Sequence, residues 1–266
     1  MGYATGVTLP YFLRKDGSVG PLAFAHRGFS LDGLENSMAA FRAAVELGTV
    51  HLETDVHTTS DGVLLVFHDS SLDRVTDSAG RIAELSASEV SEARIGGVEP
   101  VPTFDDLVIS LPQARLNLDV KDWNSVGPMA AAIEKHGVHD KVLVTSFSDR
   151  RRRAVLAKLS RRVASSAGSS LTALFVLLGP VLPVPLARKM LSGVDVFQVP
   201  VRYGRLPVVT PGFIRRARRL GRHVHVWTVN DPVEMERLLD LGVDGIVSDR
   251  LDLLKEVLVR RGEWVK

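Results

Sequence analysis

Glu53 and Asp55 stand two residues apart in an apolar, β-branched run. On a strand, residues i and i+2 share a face, so both carboxylates would point the same way, about 7 Å apart at the backbone. His57 has the same parity, and Asn117, Asp119 and Lys121 repeat the arrangement on a later run. Three carboxylates gathered at one place repel one another unless a divalent cation neutralises them, and an all-oxygen donor set suits Mg2+ or Ca2+. His26 and Arg27 close the first apolar run just ahead of Gly28, where a missing side chain would let a substrate oxygen approach the backbone; His68 and Asp69 close another. Two histidines titrating near neutrality can take up and release protons. Arg27 and Lys121 would supply fixed positive charge to a phosphoryl group. Each residue alone has a plainer reading, as a strand-edge carboxylate, a structural histidine or a surface ion pair. Their recurrence at the ends of apolar runs shifts the weight toward a site.

Repeating elements must deliver those residues. Short apolar runs occupy 22–26, 50–56, 115–120, 141–147, 162–166, 194–199, 223–229 and 245–248, and helical patterns lie between them at 37–47, 126–136, 149–159, 211–220, 232–241 and 251–260. Eight strand-helix units in one chain favour an α/β architecture of the closed (β/α)8 TIM-barrel kind over an open doubly wound sheet. In such barrels active sites gather at the C-terminal ends of the strands, where the carboxylates and histidines fall. Residues 61–111 exceed a minimal unit and predict a small insertion after the second strand, within one barrel domain spanning 1–266.

With 45% hydrophobic and 24% charged residues, the chain has the composition of a globular protein. It has no cysteine, which removes disulfides and thiolate metal sites. The first twenty residues include Arg14, Lys15 and Asp16 and no apolar core of signal-peptide length, so a cytoplasmic location is expected. The net charge of +2 conceals an asymmetry, since residues 1–140 carry 10 basic and 20 acidic side chains and residues 141–266 carry 23 and 11. An acidic first half suits a cation site. The basic runs 150–153 and 215–222 could face anionic lipid or nucleic acid, although solvated helix faces are the plainer reading. Interleaved aromatics and phosphate-binding glycine loops are missing, so no nucleic-acid partner is expected.

The chain resembles the glycerophosphodiester phosphodiesterases over nearly its whole length. The matching pieces are Ala25-His26-Arg27-Gly28, Glu35-Asn36-Ser37, Glu53-Thr54-Asp55-Val56, residues 59–62, His68-Asp69 with Leu72-Asp73-Arg74, Asn117-Leu118-Asp119-Val120-Lys121, Trp227-Thr228-Val229-Asn230 and Gly242-Val243-Asp244-Gly245-Ile246. The resemblance implies hydrolysis of a small phosphodiester, with His26 and His68 as the acid/base pair, Glu53, Asp55 and Asp119 as metal ligands, and Arg27 and Lys121 on phosphate. It further implies that Glu35 and Asn36 shape the site and that Trp227 walls the pocket for the alcohol. Three positions depart from the family pattern: Asp119 stands where glutamate is usual, Leu34 and Ser37 where proline and threonine are common, and Leu251 where proline is common.

Two other functions compete with this one. A lysophospholipase D or sphingomyelinase-like relative would act on single-chain lipids, and a barrel without catalysis would only bind phosphate ligands. The first is favoured by residues 163–187, which carry no charge, contain Leu171 and the run 174–178, and end in Pro180, Pro183 and Pro185. That stretch is too short and broken to span a bilayer. It is expected either as the fifth barrel helix with one buried face, the favoured reading, or as an apolar flap whose 171–186 portion meets lysophospholipid or a membrane surface. His223 and His225 share parity with Trp227 and are expected inside the barrel below the site rather than as further ligands.

Overall fold

The computed structural model describes residues 9–265. Eight parallel strands, one from each expected run, build the barrel: β1 (Leu22–His26), β2 (His51–Thr58), β3 (Arg115–Val120), β4 (Val142–Thr145), β5 (Ala164–Ser165), β6 (Val196–Pro200), β7 (His223–Trp227) and β8 (Gly245–Ser248). They pair in the order β5-β4-β3-β2-β1-β8-β7-β6. A parallel bridge between Ser166 and Val196, with Ala167 N donating to Val196 O at 2.9 Å, joins the two edges. The result is the expected (β/α)8 barrel.

Alternation along the strands sorts the side chains. Leu22, Phe24, Leu143, Ala164, Val196 and Val247 point inward and cluster with Tyr11 and Phe12 from the chain before β1. Ala23, Ala25, Leu52, Val56, Leu116, Leu118, Val224 and Val226 point outward into the larger core under the helices. Burial on both faces is why these strands are nearly continuous apolar runs. Tyr11 and Phe12, in the short 3-10 turn Pro10–Phe12, close the N-terminal end of the barrel. There Phe12 stacks on His223 at 4.2 Å between ring centres, and Phe24 lies 4.7 Å from His225. The two histidines are therefore interior residues below the mouth.

Helices surround the strands: α1 (Met38–Leu47), α2 (Phe104–Ser110), α3 (Val126–His136), α4 (Asp149–Leu156), α5 (Ser169–Leu178), α6 (Val184–Met190), α7 (Pro211–Arg219), α8 (Pro232–Leu241) and α9 (Leu251–Arg260), with a further short one, Ala87–Ser91, inside the 61–111 stretch. Side-chain caps start most of them at the mouth: Ser37, Thr103, Ser148, Thr210 and Asp231 each accept a hydrogen bond from a first-turn amide. Ser37 thus does the capping work of the usual threonine, and α9 begins at Leu251 without the usual proline.

In 61–111 the apolar run that His68 and Asp69 close is the strand Leu64–Val66, antiparallel to the end of β2, and a satellite core of Leu65, Phe67, Leu72, Ile82, Val90, Ala93, Ile95 and Val101 forms around it. At the end of the stretch, Phe104 and Leu107 of α2 pack back onto the main core. The uncharged stretch forms α5 and α6. α5 leaves the mouth where Ser169 N donates to Phe147 O, and descends the outer wall with Phe175 buried against Phe197 and Phe213. A barrel helix, not a flap, occupies this place. No helix among the described residues is long and apolar enough to cross a membrane. One expectation fails outright in the run 150–153: Arg152 is 1% exposed, donating to Ser165 Oγ and Gly193 O beside Asp149, so it braces the barrel wall instead of facing solvent.

Candidate active site

Strand pairing brings the expected residues to one mouth. β1 runs alongside β2 as far as the pair His26 and Glu53, while Leu64–Val66 runs the opposite way along the same edge of β2, with Phe67 N donating to Asp55 O at 3.0 Å. The two segments approach end to end. His26 from one and His68 from the other therefore arrive on the same edge, above Glu53 and Asp55. On the opposite edge of β2, β3 sets Asn117 beside Glu53 and Asp119 beside Asp55.

Charge is crowded here. Lys121 Nζ bridges Asp55 Oδ1 and Asp119 Oδ2, 2.8 Å from each, and Arg27 Nε lies 3.6 Å from Asp55 Oδ2. Glu53 faces Asp55, and among the described residues its ion-pair partner is His26 rather than a lysine or arginine. Burial and the Asp55 charge push its carboxyl up to about 7. Burial raises the Asp119 carboxyl as well, against the opposing pull of Lys121. Asp55 Oδ2 and Asp119 Oδ1 are buried and accept no hydrogen bond from the described residues. A buried unsatisfied polar atom costs about 1–3 kcal/mol, and more when charged. Among the described residues no three acidic or histidine side chains are drawn into a ready-made ion site, because the acids lean on Lys121 and Arg27. The donor set itself, three carboxylates with two orphaned oxygens, fits a hard divalent cation.

Each histidine is fixed through Nδ1. His26 Nδ1 lies 2.6 Å from Asp249 Oδ1 and His68 Nδ1 lies 2.5 Å from Asp69 Oδ1. A carboxylate only accepts, so Nδ1 carries the proton and Nε2 is left for other partners. Burial works against protonation of His26, but Glu53 and the Asp249 hydrogen bond outweigh it and raise its pKa above the ordinary value. His26 Nε2 is 3.8 Å from Glu53 Oε2.

The remaining expected residues frame this centre. Arg27 has φ 54, a conformation uncommon outside glycine, and its Nη1 donates to Glu35 Oε1 at 2.9 Å. Arg74 Nη2 donates to the same oxygen at 2.6 Å, and its Nε reaches Asp69 at 2.6 Å, so Glu35 ties the Arg27 loop to the His68 loop. Buried Asn36 donates its backbone N–H to Arg27 O and accepts from Thr54 Oγ1. Trp227, at the end of β7, meets Phe147 edge-on with ring centres 6.0 Å apart. One expectation is corrected at Gly28. With φ 84, a Cβ there would lie 2.7 Å from Ala40 Cβ, so the space is taken by α1 and not by a substrate oxygen.

Several partners escaped the sequence analysis. Asp249 continues the inward parity of Gly245 and Val247 one residue past β8, which is the signal that could have marked it. Asn230 Nδ2 donates to Asp249 Oδ2 at 2.8 Å and so backs the His26 pair. His57, placed on the site face by its parity but given no role there, holds the His68 loop, with Nε2 3.1 Å from His68 O and Nδ1 2.6 Å from Asp122.

A family model described as the glycerophosphoryl diester phosphodiesterase family matches residues 26–253. A probable glycerophosphodiester phosphodiesterase 2 of Mycobacterium tuberculosis is 42% identical over 254 residues, covering 95% of each chain. The crystal structure of a glycerophosphodiester phosphodiesterase from Agrobacterium tumefaciens aligns with a TM-score of 0.73 at 25% identity, covering 91% of this chain and all of its own. A phosphodiesterase of Oleispira antarctica, in complex with the product sn-glycerol-3-phosphate, aligns with a TM-score of 0.75 at 21% identity over 90% of this chain and 97% of its own.

Proposed function

Since this chain belongs to the glycerophosphoryl diester phosphodiesterase family and is a phosphoric diester hydrolase, we propose that it splits glycerophosphodiesters into glycerol 3-phosphate and a headgroup alcohol. His26 and His68 are the proton-transfer pair, and Glu53, Asp55 and Asp119 hold a divalent cation, Mg2+ or Ca2+. The observation that carries this reading is the pair of orphaned carboxylate oxygens, Asp55 Oδ2 and Asp119 Oδ1, beside a Glu53 carboxyl pushed up to about 7 by burial and by Asp55. When bound, the cation would draw charge off the phosphoryl oxygens and help hold the phosphate. Arg27, whose Nε is buried without a hydrogen-bond partner among the described residues, and Lys121 bind the same group by charge. Asp249 keeps the proton of His26 on Nδ1 and Asp69 does the same for His68, so each presents Nε2 to substrate. One of the pair takes the proton of the attacking oxygen, from water or from the free glycerol hydroxyl, and the other protonates the leaving alkoxide; in the second case the cyclic phosphate so formed is opened by water to glycerol 3-phosphate. Trp227 walls the alcohol side, with Glu35 and Asn36 setting the loop beneath Arg27.

The test is release of glycerol 3-phosphate from glycerophosphocholine by the purified chain, with and without EDTA. Stripping metal is expected to abolish turnover, Mg2+ or Ca2+ to restore it, and Glu53→Gln to raise the metal concentration needed. Full-rate hydrolysis by metal-free enzyme would remove the cation from the reading, and release of phosphocholine in place of choline would overturn the products. A second reading, hydrolysis of single-chain lysophospholipids, is favoured by Trp123 and Phe147, 55% and 56% exposed beside the mouth. Lysophosphatidylcholine cleaved faster than glycerophosphocholine would establish it.

A further inference from the structure

The outer wall opposite the catalytic chemistry carries an unusual surface. Leu174, Leu177 and Leu178 of α5, Val181 of the following turn and Leu186 of α6 are all exposed, Leu177 by 69% and Val181 by 80%. In α5 only Phe175 is fully buried. Five aliphatic side chains on one pair of helices and the turn between them exceed the scattered exposure normal for a protein surface. Cations border them on the same wall. Arg216 of α7 lies with its guanidinium 5.8 Å from the Phe175 ring centre and its Nε 3.1 Å from where a side chain on Gly179 would begin. Arg215, Arg218 and Arg219 line the outer face of α7, and Arg188 and Lys189 end α6.

Residues 161–230 contain eleven arginines and lysines and a single acid, Asp195, which is buried against Arg162 and the Ser165 amide. Among the described residues, Arg188, Lys189, Arg215, Arg216, Arg218 and Arg219 join no ion pair. The wall thus joins exposed aliphatic side chains to positive charge that the protein itself does not neutralise.

We propose that this wall docks on an anionic lipid bilayer, the aliphatic residues of α5 and α6 entering the headgroup region and the α7 arginines meeting lipid phosphates. A second copy of this chain on the same patch would set arginines against arginines. Nucleic acid would satisfy the arginines but leave the leucines and valine without a role, since no aromatic ring of the patch is exposed for base stacking. A bilayer satisfies both. Docking here uses residues remote from the carboxylates and histidines, so it is independent of the catalytic reading.

Flotation of the full chain with vesicles tests this. Phosphatidylcholine vesicles containing phosphatidylglycerol are expected to carry the protein, pure phosphatidylcholine vesicles are not, and raising salt from about 0.1 M to about 0.5 M should release it. Leu177→Asp with Val181→Asp, and separately Arg215→Gln with Arg219→Gln, should each weaken binding about tenfold or more while glycerophosphocholine hydrolysis stays unchanged. Circular dichroism melting checks that the Asp pair folds, and Leu177→Ser with Val181→Ser serves if it does not. Equal binding to neutral and anionic vesicles, or binding that both substitution pairs leave intact, overturns the proposal. So does a dimer, seen by sedimentation, that the same substitutions dissolve.

Discussion

His26 and His68 share a device that neither shows in the sequence: each is locked by a carboxylate at Nδ1, one from the far end of the chain and one from the next residue. Replacing either histidine by alanine is expected to lower kcat by about a hundredfold or more, the scale of lost acid or base help; near wild-type turnover in both variants would exclude them as the pair. Asp249→Asn should be nearly as harmful. Together with Glu53, the hydrogen bond and charge of Asp249 raise His26 above its ordinary pKa, and an amide keeps the shape without the charge, so kcat should fall about tenfold to a hundredfold with KM little changed. The limb of the pH-rate profile belonging to His26 should also move to lower pH. An unchanged profile would mean that Asp249 only supports the loop. Strand parity made Glu53, Asp55 and Asp119 legible from sequence, because an alternating pattern carries its own geometry. Asn230 and Arg74 lie beyond strand ends, where parity no longer says which way a side chain points; Asp249, one residue past β8, keeps the inward parity of Val247 but falls outside the apolar run.

At the level of elements, all eight strands were legible and their lengths were not. The run 162–166 shrinks to Ala164–Ser165, the two residues that pair with Leu143 and Val144 of β4, and beyond them Ser166 makes only a single bridge to Val196. The insertion was the least legible part. Leu64–Val66 looks like any short apolar run, yet its antiparallel return along β2 is what carries His68 to the mouth. The turn between β1 and α1 shows how tightly elements fix the site. Gly28 combines φ 84 with a position where an added Cβ would meet Ala40 Cβ at 2.7 Å and the Ala40 carbonyl carbon at 2.8 Å. Gly28→Ala would meet both the left-handed backbone penalty and overpacking against α1, for a loss of about 2–5 kcal/mol in urea unfolding. Activity should fall with it, since Arg27 is the adjoining residue. A loss under about 1 kcal/mol would mean that α1 can retreat and that the close approach is not structural.

Across the whole molecule the charge asymmetry becomes spatial: the acidic first half builds the mouth, and the basic second half clothes the wall of α6 and α7. Between them lies a barrel interior that contains histidine where most barrels are aliphatic, and this has a consequence for acid stability. His225 is fully buried, neither ring nitrogen has a hydrogen-bond partner among the described residues, and burial holds its pKa well below the ordinary value, helped by neighbouring His223 and His51. In the unfolded chain it titrates at about 6.5. Below that pH the unfolded state binds a proton that the folded state refuses, so the stability attached to a neutral His225 is complete above about pH 6.5 and declines as pH falls, by about 1.4 kcal/mol per pH unit. His51, held down to about 3 by burial, acts in the same sense. His26, whose pKa is raised, acts in the opposite one. The contribution of one group is isolated by a variant that lacks it. His225→Leu keeps roughly the side-chain volume between Phe24 and Gly245 and removes the titration. Urea midpoints taken at pH 7.5, 6.5 and 5.5 should then fall less steeply for the variant, the gap between the two proteins widening by about 1 kcal/mol from pH 6.5 to 5.5. Parallel curves would mean that His225 is protonated inside the folded barrel or hydrated there. Catalysis at pH 7.5 should persist in the variant, because the substituted residue lies below the mouth and touches none of the carboxylates.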